Sequence, residues 1–295
     1  MDALKQATTK LLARTFSSLS TRLTGCLILA ALLLVSSAHQ VPAQITPNAP
    51  SKLPPRTSSN KASTLPSNPS NPIDVQQLLT TGQTALDNGR FEEAIASYNR
   101  VIALSANNPR NAAIANLKIG NAYMVQRKFE NAAIGYQRAT TLNPDYAEAY
   151  NNLGEALGEL KQYPRAIEAF TKAFALDSTL LKAKYNQAVT YDRMGNFRYS
   201  EFVFRNLIKS SPDYSLAYDG LAVTLSKAGR GKEAIAFHEK AIALNPREPS
   251  YYFNCAISYL MLKNTAKALE QQEKLKEIDP AIADRLASVI VKRQM

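Results

Sequence analysis

The stretch YNNLGEALGEL, Tyr150 to Leu160, carries Tyr150, Leu153 and Leu157 at helical spacing, with Gly154 between them. That is one face of an amphipathic helix. Ala166, Phe170 and Ala173 mark a second helix of the same kind. These columns recur every 34 residues in both directions along the chain. Upstream they read Asn116, Ile119, Gly120 and Tyr123, then Ala132, Tyr136, Ala139 and Pro144. Downstream they read Lys184, Gln187, Ala188 and Tyr191, then Ser200, Phe204, Leu207 and Pro212. Two more sets follow, from Tyr218 to Pro246 and from Tyr252 to Pro280. An earlier unit has Gly82, Ala85, Ala94, Tyr98 and Val101, and Pro109 to Ala112 is then inserted before the next.

The columns have a physical reading. Gly154 and Ala166 lack bulk, so two helices can approach closely there. Tyr150, Leu157 and Phe170 fill the space between helices and between neighbouring units. Turns such as DNGR, GN and AGR split each pair. Pro144, Pro212, Pro246 and Pro280 are expected to end second helices, because proline cannot donate to the helical ladder. One helix pair cannot bury its apolar face, so stability must come from stacking neighbours.

A 34-residue period with this alternation of small and large residues resembles the tetratricopeptide repeat. The resemblance implies an all-α fold, a right-handed α-solenoid of six helix-turn-helix units at 75–108, 113–146, 147–180, 181–214, 215–248 and 249–282. Residues 283–295, with Leu286, Val289 and Ile290 on one side, are expected to form a capping helix over the last unit. Two units depart from the pattern. The fourth has Lys184, Gln187 and Ser200 at columns that want apolar or small residues, and repacking around Phe197, Tyr199, Phe202 and Phe204 is the expected compensation, with an exposed aromatic docking site as the alternative. The third has Ser178 in place of proline.

The N-terminal quarter is different. Lys5, Lys10, Arg14 and Arg22 precede an uncharged run, Gly25 to Ala38, then VPAQ. Fourteen residues is short for a bilayer span and fits the apolar region of a secretory signal, with cleavage expected after Ala43. An uncleaved signal anchor is the alternative. Cys26 lies at the start of the apolar run and does not follow it, so it is not a lipoprotein cysteine. Residues 44–74 are rich in Pro, Ser and Asn and read as a disordered linker. Export to a bacterial periplasm, or to a thylakoid lumen in a cyanobacterial setting, is the expectation.

Formal net charge is +11, but Lys and Arg are mixed with Asp and Glu through the repeats. That pattern is a solvated surface and argues against a nucleic-acid face. Catalytic and metal constellations are not apparent. His238 falls in a column of Tyr and Phe and reads as a packed helix residue. Cys255 falls in the leucine column and reads as a small buried hydrophobe. No phosphate loop, nucleophile elbow or zinc-protease motif occurs. The expectation is a non-enzymatic protein with no cofactor.

In arrays that this chain resembles, the first helices line a concave face along which partners lie. The columns taken to face inward hold Asn121; Asn151, Asn152, Glu155 and Glu159; Lys182, Tyr185, Asn186 and Arg193; and Phe253, Asn254 and Ile257. Asp219, Lys227 and Met261 share these columns. Some family members clamp a partner's C-terminal carboxylates with Lys and Asn, then Asn, then Lys and Arg. Asn121, Asn152 and Lys182 match that pattern, whereas Leu117 and Asn186 stand where two cations are wanted. The resemblance implies a scaffold that binds a protein or peptide in its groove, in envelope biogenesis or complex assembly. The alternative is a membrane-anchored adaptor that recruits partners at the membrane surface.

Overall fold

The computed structural model describes residues 74–294; the expected signal and the linker before Asp74 lie outside them. Among the described residues there are thirteen α-helices and no strand. The first six are α1 (Val75–Asp87), α2 (Phe91–Leu104), α3 (Pro109–Val125), α4 (Phe129–Leu142), α5 (Ala147–Glu159) and α6 (Tyr163–Leu176). They are followed by α7 (Leu181–Arg193), α8 (Phe197–Ser210), α9 (Ser215–Lys227), α10 (Gly231–Leu244), α11 (Pro249–Met261), α12 (Thr265–Ile278) and α13 (Pro280–Gln294). They form six antiparallel pairs stacked in sequence order, with α13 lying on α11 and α12. First helices of neighbouring units touch one another (α1 with α3, α5 with α7, α7 with α9, α9 with α11), which draws that side of the array inward and makes it concave.

Small residues decide how closely each pair packs. A Cβ placed on Gly154 would lie 2.6 Å from the Phe170 ring, and one on Gly120 the same distance from Tyr136. In units one to three the second-helix aromatic therefore lays a ring edge on a first-helix glycine of its own unit. Units four to six have Ala188, Ala222 and Ala256 at that column, each fully buried. The methyl leaves no room for the ring. Phe204 instead packs against Gly220 of the following unit, where an added Cβ would come within 2.5 Å of it.

Three expectations from the sequence are refined. Pro109 to Ala112 is not a loop: it is the first turn of α3, which has 17 residues where the other first helices have 13. Four residues make about one helical turn, so the insertion lengthens α3 without rotating its buried face. Pro280 follows the end of α12 and opens α13 as its first residue, a position that suits proline. The capping helix thus begins at 280 rather than 283. Its Ala283, Leu286 and Ile290 are buried with Tyr252, Leu260 and Leu275 of unit six. At Ser178, where proline is missing, Asp177 ends α6 and accepts from the Thr179 backbone at 2.9 Å and from its hydroxyl at 2.6 Å. Those bonds hold the Asp177 carboxyl below its usual range.

The aromatic run of unit four divides. Phe204 is buried, but Tyr199 and Phe202 are 56% and 61% exposed, so they do not repack inward as expected. Their columns face away from the core. The polar departures in this unit are absorbed at unit boundaries. Ser200 bonds Thr224 at 3.0 Å, Gln187 donates to Thr171 at 2.7 Å, and the Lys184 ammonium lies 5.5 Å from the Phe174 ring centre.

The junction of units five and six is polar and dry. His238 is fully buried in the column of Tyr98, Tyr136, Phe170 and Phe204. Its Nδ1 lies 2.8 Å from Asp219 Oδ1, and its Nε2 lies 3.0 Å from Ser258 Oγ. Ser258 also bonds Ser226 at 2.7 Å, and Asn254 donates to the other Asp219 oxygen at 2.8 Å. The sequence of contacts is that of an acyl-transfer triad. Ser258 is only 2% exposed, however, so no substrate reaches it, and the chain of bonds joins α9, α10 and α11. Cys255 beside it is buried as expected, and burial pushes its thiol up to about 12.

Two outcomes are expected in thermal or urea unfolding. Gly154→Ala forces the buried Phe170 ring to move and costs about 1–3 kcal/mol. Gly158→Ala, on the same helix but with nothing within 4 Å of the added methyl, is neutral or stabilises by up to about 1 kcal/mol. Equal effects would refute the packing account. His238→Phe restores the common aromatic of the column yet strands Asp219 Oδ1 and removes one of the two Ser258 bonds. It is expected to cost about 1–3 kcal/mol; an unchanged or raised midpoint would show that the relay contributes nothing.

Candidate functional site

The concave face of units two to four is built on α3, α5 and α7, whose 13-residue core register repeats at 34 residues. Residues one unit apart therefore come side by side. Tyr136 donates its hydroxyl to Asn121 Oδ1 at 2.7 Å, and Asn152 donates to the same oxygen at 3.3 Å. Asn151 Nδ2 donates to Asn152 Oδ1 at 3.1 Å and to Glu155 Oε1 at 2.9 Å. Asn186 donates to Asn151 Oδ1 at 3.2 Å and to Glu155 Oε1 at 2.9 Å. The Lys182 ammonium completes the cluster, 2.8 Å from Glu155 Oε1. Six of the residues expected to face a partner are thus joined in one network across three units.

The outer rung is ionic. Arg193 pairs with Glu159 at 2.8 Å, and Lys227 pairs with the buried Asp192 of the preceding unit. Asp192 Oδ1, facing the other way, has no hydrogen-bond partner among the described residues. Each of these carboxylates is met by a cation 34 or 35 residues later. The half-exposed Glu159–Arg193 pair is individually weak, on the order of 0.2–1 kcal/mol. Its value here is in register.

A cleft of about 430 Å³ opens beside this network. Gly154, Gly158, Phe170 and Val189 contribute its apolar surface, and Glu155, Glu159, Lys182 and Arg193 its charged margin. Arg127 closes one end. It occupies the turn after α3 at φ 58°, a left-handed position that a glycine fills in units one, four and five. Its guanidinium lies 5.8 Å from the Phe129 ring centre, and no carboxylate lies within 4 Å among the described residues. Burial, with the charges of Glu155 and Glu148, pushes the Tyr136 phenol upward, so it stays a hydrogen-bond donor at neutral pH.

Other expected groove residues lie elsewhere. Tyr185 packs edge-on against Phe204 at 5.6 Å and Tyr214 at 6.4 Å, and burial, aided by Asp219, pushes its phenol up to about 12. Phe253 and Ile257 are partly buried against the core that α13 covers, with the Arg285 guanidinium 5.6 Å from the Phe253 ring centre. The capping helix occupies the apolar end that the sequence left open. Asn254 is engaged by Asp219. Leu117 is 1% exposed in the core, so the lysine position of the carboxylate clamp is closed as well as uncharged. Its column turns toward the neighbouring unit, as the 2% exposure of Asn151 also shows.

Arg127, Asp192 and the Asp219–His238–Ser258 chain were not anticipated. Asp192 and Lys227 could have been found by pairing charges at 34 or 35 residues. The relay could not, because its members occupy different columns of different helices.

Comparison with known proteins agrees with this architecture. Family models described as "Tetratricopeptide repeat" match residues 79–139, 147–180 and 216–245, and one described as "TPR repeat" matches 120–161. "Anaphase-promoting complex subunit 3" of Schizosaccharomyces pombe is 24% identical over 162 residues, 55% of this chain and 24% of that protein. "Protein O-mannosyl-transferase TMTC3" of Mus musculus is 26% identical over 215 residues, 67% of this chain and 23% of that protein. The chain spans about a quarter of the length of each. Among solved structures, that of PilW, described as a "widely conserved type IV pilus biogenesis factor", superposes with a TM-score of 0.61 at 21% identity, covering 75% of this chain and all of that one. A tetratricopeptide repeat protein from Parabacteroides merdae gives 0.61 at 21% identity, covering 76% and 87%. By its repeat period, its stacked helix pairs and these matches, the chain belongs to the tetratricopeptide repeat family.

Proposed function

We propose that the array holds an extended segment of a partner protein along the concave face of units two to four. The observation that carries this reading is the asparagine–glutamate network beside an open cleft. Asn121, Asn152 and Asn186 present amides on three consecutive units, and an amide can both donate to and accept from a peptide backbone. Gly158 leaves room for an apolar side chain to approach the helix backbone. The second oxygens of Glu155 and Glu159 face a partner's cation, and Arg127 faces an anion. No step of bond chemistry is assigned to these groups, so the reading is of a non-enzymatic scaffold.

The finer reading is of an exported scaffold in envelope biogenesis or complex assembly. Its support is the basic, apolar and small-residue order of the first 43 residues. The second reading, a membrane-anchored adaptor, rests on the same apolar run, Gly25 to Ala38, left in place.

Crosslinking and capture in the source cell, wild type beside Asn152→Ala and Asn186→Ala, tests the groove. Each substitution is expected to weaken capture roughly fivefold, about one hydrogen bond's worth. Identical capture by all three chains would refute the assignment. Sequencing the mature N-terminus separates export from anchoring: a start near Gln44 supports cleavage, and retention of the residues before Gly25 supports the anchor.

A further inference from the structure

The outer side of α8 differs from every other second helix. Arg198, Tyr199, Phe202, Arg205, Asn206 and Lys209 are all exposed and fall on one helical stripe. It carries three cations, two protruding rings and no acid. At the corresponding columns α2 has Glu92, α4 Glu130, α6 Glu168, α10 Glu239 and α12 Glu273. Repeat packing does not require the change, because the core aromatic of this helix, Phe204, is already buried.

The charges are arranged around the rings. Arg198 and Lys209 stand about 16 Å apart along the helix, at 1.5 Å per residue, with Phe202 between them. Neither has a carboxylate within 4 Å among the described residues. Arg205 lies 5.4 Å from the Phe237 ring centre and is paired with Glu201 and Glu233 beside the stripe. Tyr199 is fixed by stacking on Tyr191, with centroids 5.5 Å apart.

We propose that this stripe docks on the surface of a membrane bearing anionic lipid headgroups. Exposed aromatic rings partition to the headgroup boundary, and cations beside them are drawn to anionic lipid. A stable protein interface needs about 800 Å² and 20–30 residues on each side, more than one stripe on a convex face offers. A bilayer needs no matching shape and admits each ring separately. The concave face stays free on the opposite side, so membrane contact and partner binding are compatible and independent.

The chain has no tryptophan, which makes a local test available. Phe202→Trp in the full chain puts the sole indole on the stripe. Ile134→Trp puts it at the same column of α4, where the side chain is 53% exposed. Both variants are first matched to wild type by circular dichroism and melting midpoint. With phosphatidylcholine vesicles containing phosphatidylglycerol, the reporter at 202 is expected to shift to the blue and to be quenched by brominated lipid. Pure phosphatidylcholine and the reporter at 134 are expected to show neither effect. Adding Arg198→Ala and Lys209→Ala should weaken the vesicle response about thirtyfold. Because the reporter is local, attachment elsewhere in the chain does not mimic the result. The proposal is overturned by no response at 202, by equal responses at 134 and 202, or by indifference to lipid charge or to loss of the two cations. It is also overturned if soluble polyglutamate shifts the reporter and vesicles do not, which would assign the stripe to an acidic protein.

Discussion

The fold depends on the contact, in units one to three, between a side-chain-free patch on the first helix and the ring that its partner helix lays there. At Gly154 the ring edge of Phe170 sits where a methyl would be, and the distance between the two helices follows from it. Everything outward of that contact inherits its geometry. The first helices come close enough to touch across units, the second helices spread, and the inner face curves. Where alanine replaces the glycine, the contact is not lost but moves to the next unit, as Phe204 and Gly220 show. A repeat protein can thus change which unit a ring serves without changing the architecture.

Much of this was legible because it is periodic. Ala166, Leu153 and Phe170 announce burial by recurring at fixed spacing, and all three are buried. Asn121, Asn152 and Asn186, singled out by their columns, come together in one network. What the columns could not convey is where a column turns. The one that holds Leu117 and Asn151 points between units, because the inward tilt of the first helices hides it from the groove. Phe253 and Ile257 follow the array's pattern, yet the terminal helix, which has no counterpart earlier in the array, partly covers them. Tyr199 and Phe202 look like core residues by type and are surface residues by position. Residue type alone gave the wrong side there, and helical phase gives the right one.

Polar groups in this array divide into two kinds. The concave network is wet on one side and retains free oxygens. The Asp219–His238–Ser258 chain is enclosed, and in such surroundings each unmet group is costly while each met one fixes geometry. The resemblance of the latter to catalytic machinery is one of topology of bonds only. Burial, not the identity of the residues, separates a relay that holds helices from one that attacks substrates.

The pairing of a carboxylate in one unit with a cation in the next gives the array a direction. Glu159 reaches forward to Arg193, and Asp192 forward to Lys227. Units three, four and five are therefore not interchangeable beads. Exchanging any two of them, or duplicating unit three, would leave an acid facing an acid or a buried carboxylate facing nothing. The ionic rungs record the order in use, as does the seat of Phe204 on Gly220 of the next unit. Growth of such an array by copying unit three would have to be followed by replacement of charges at the new seam.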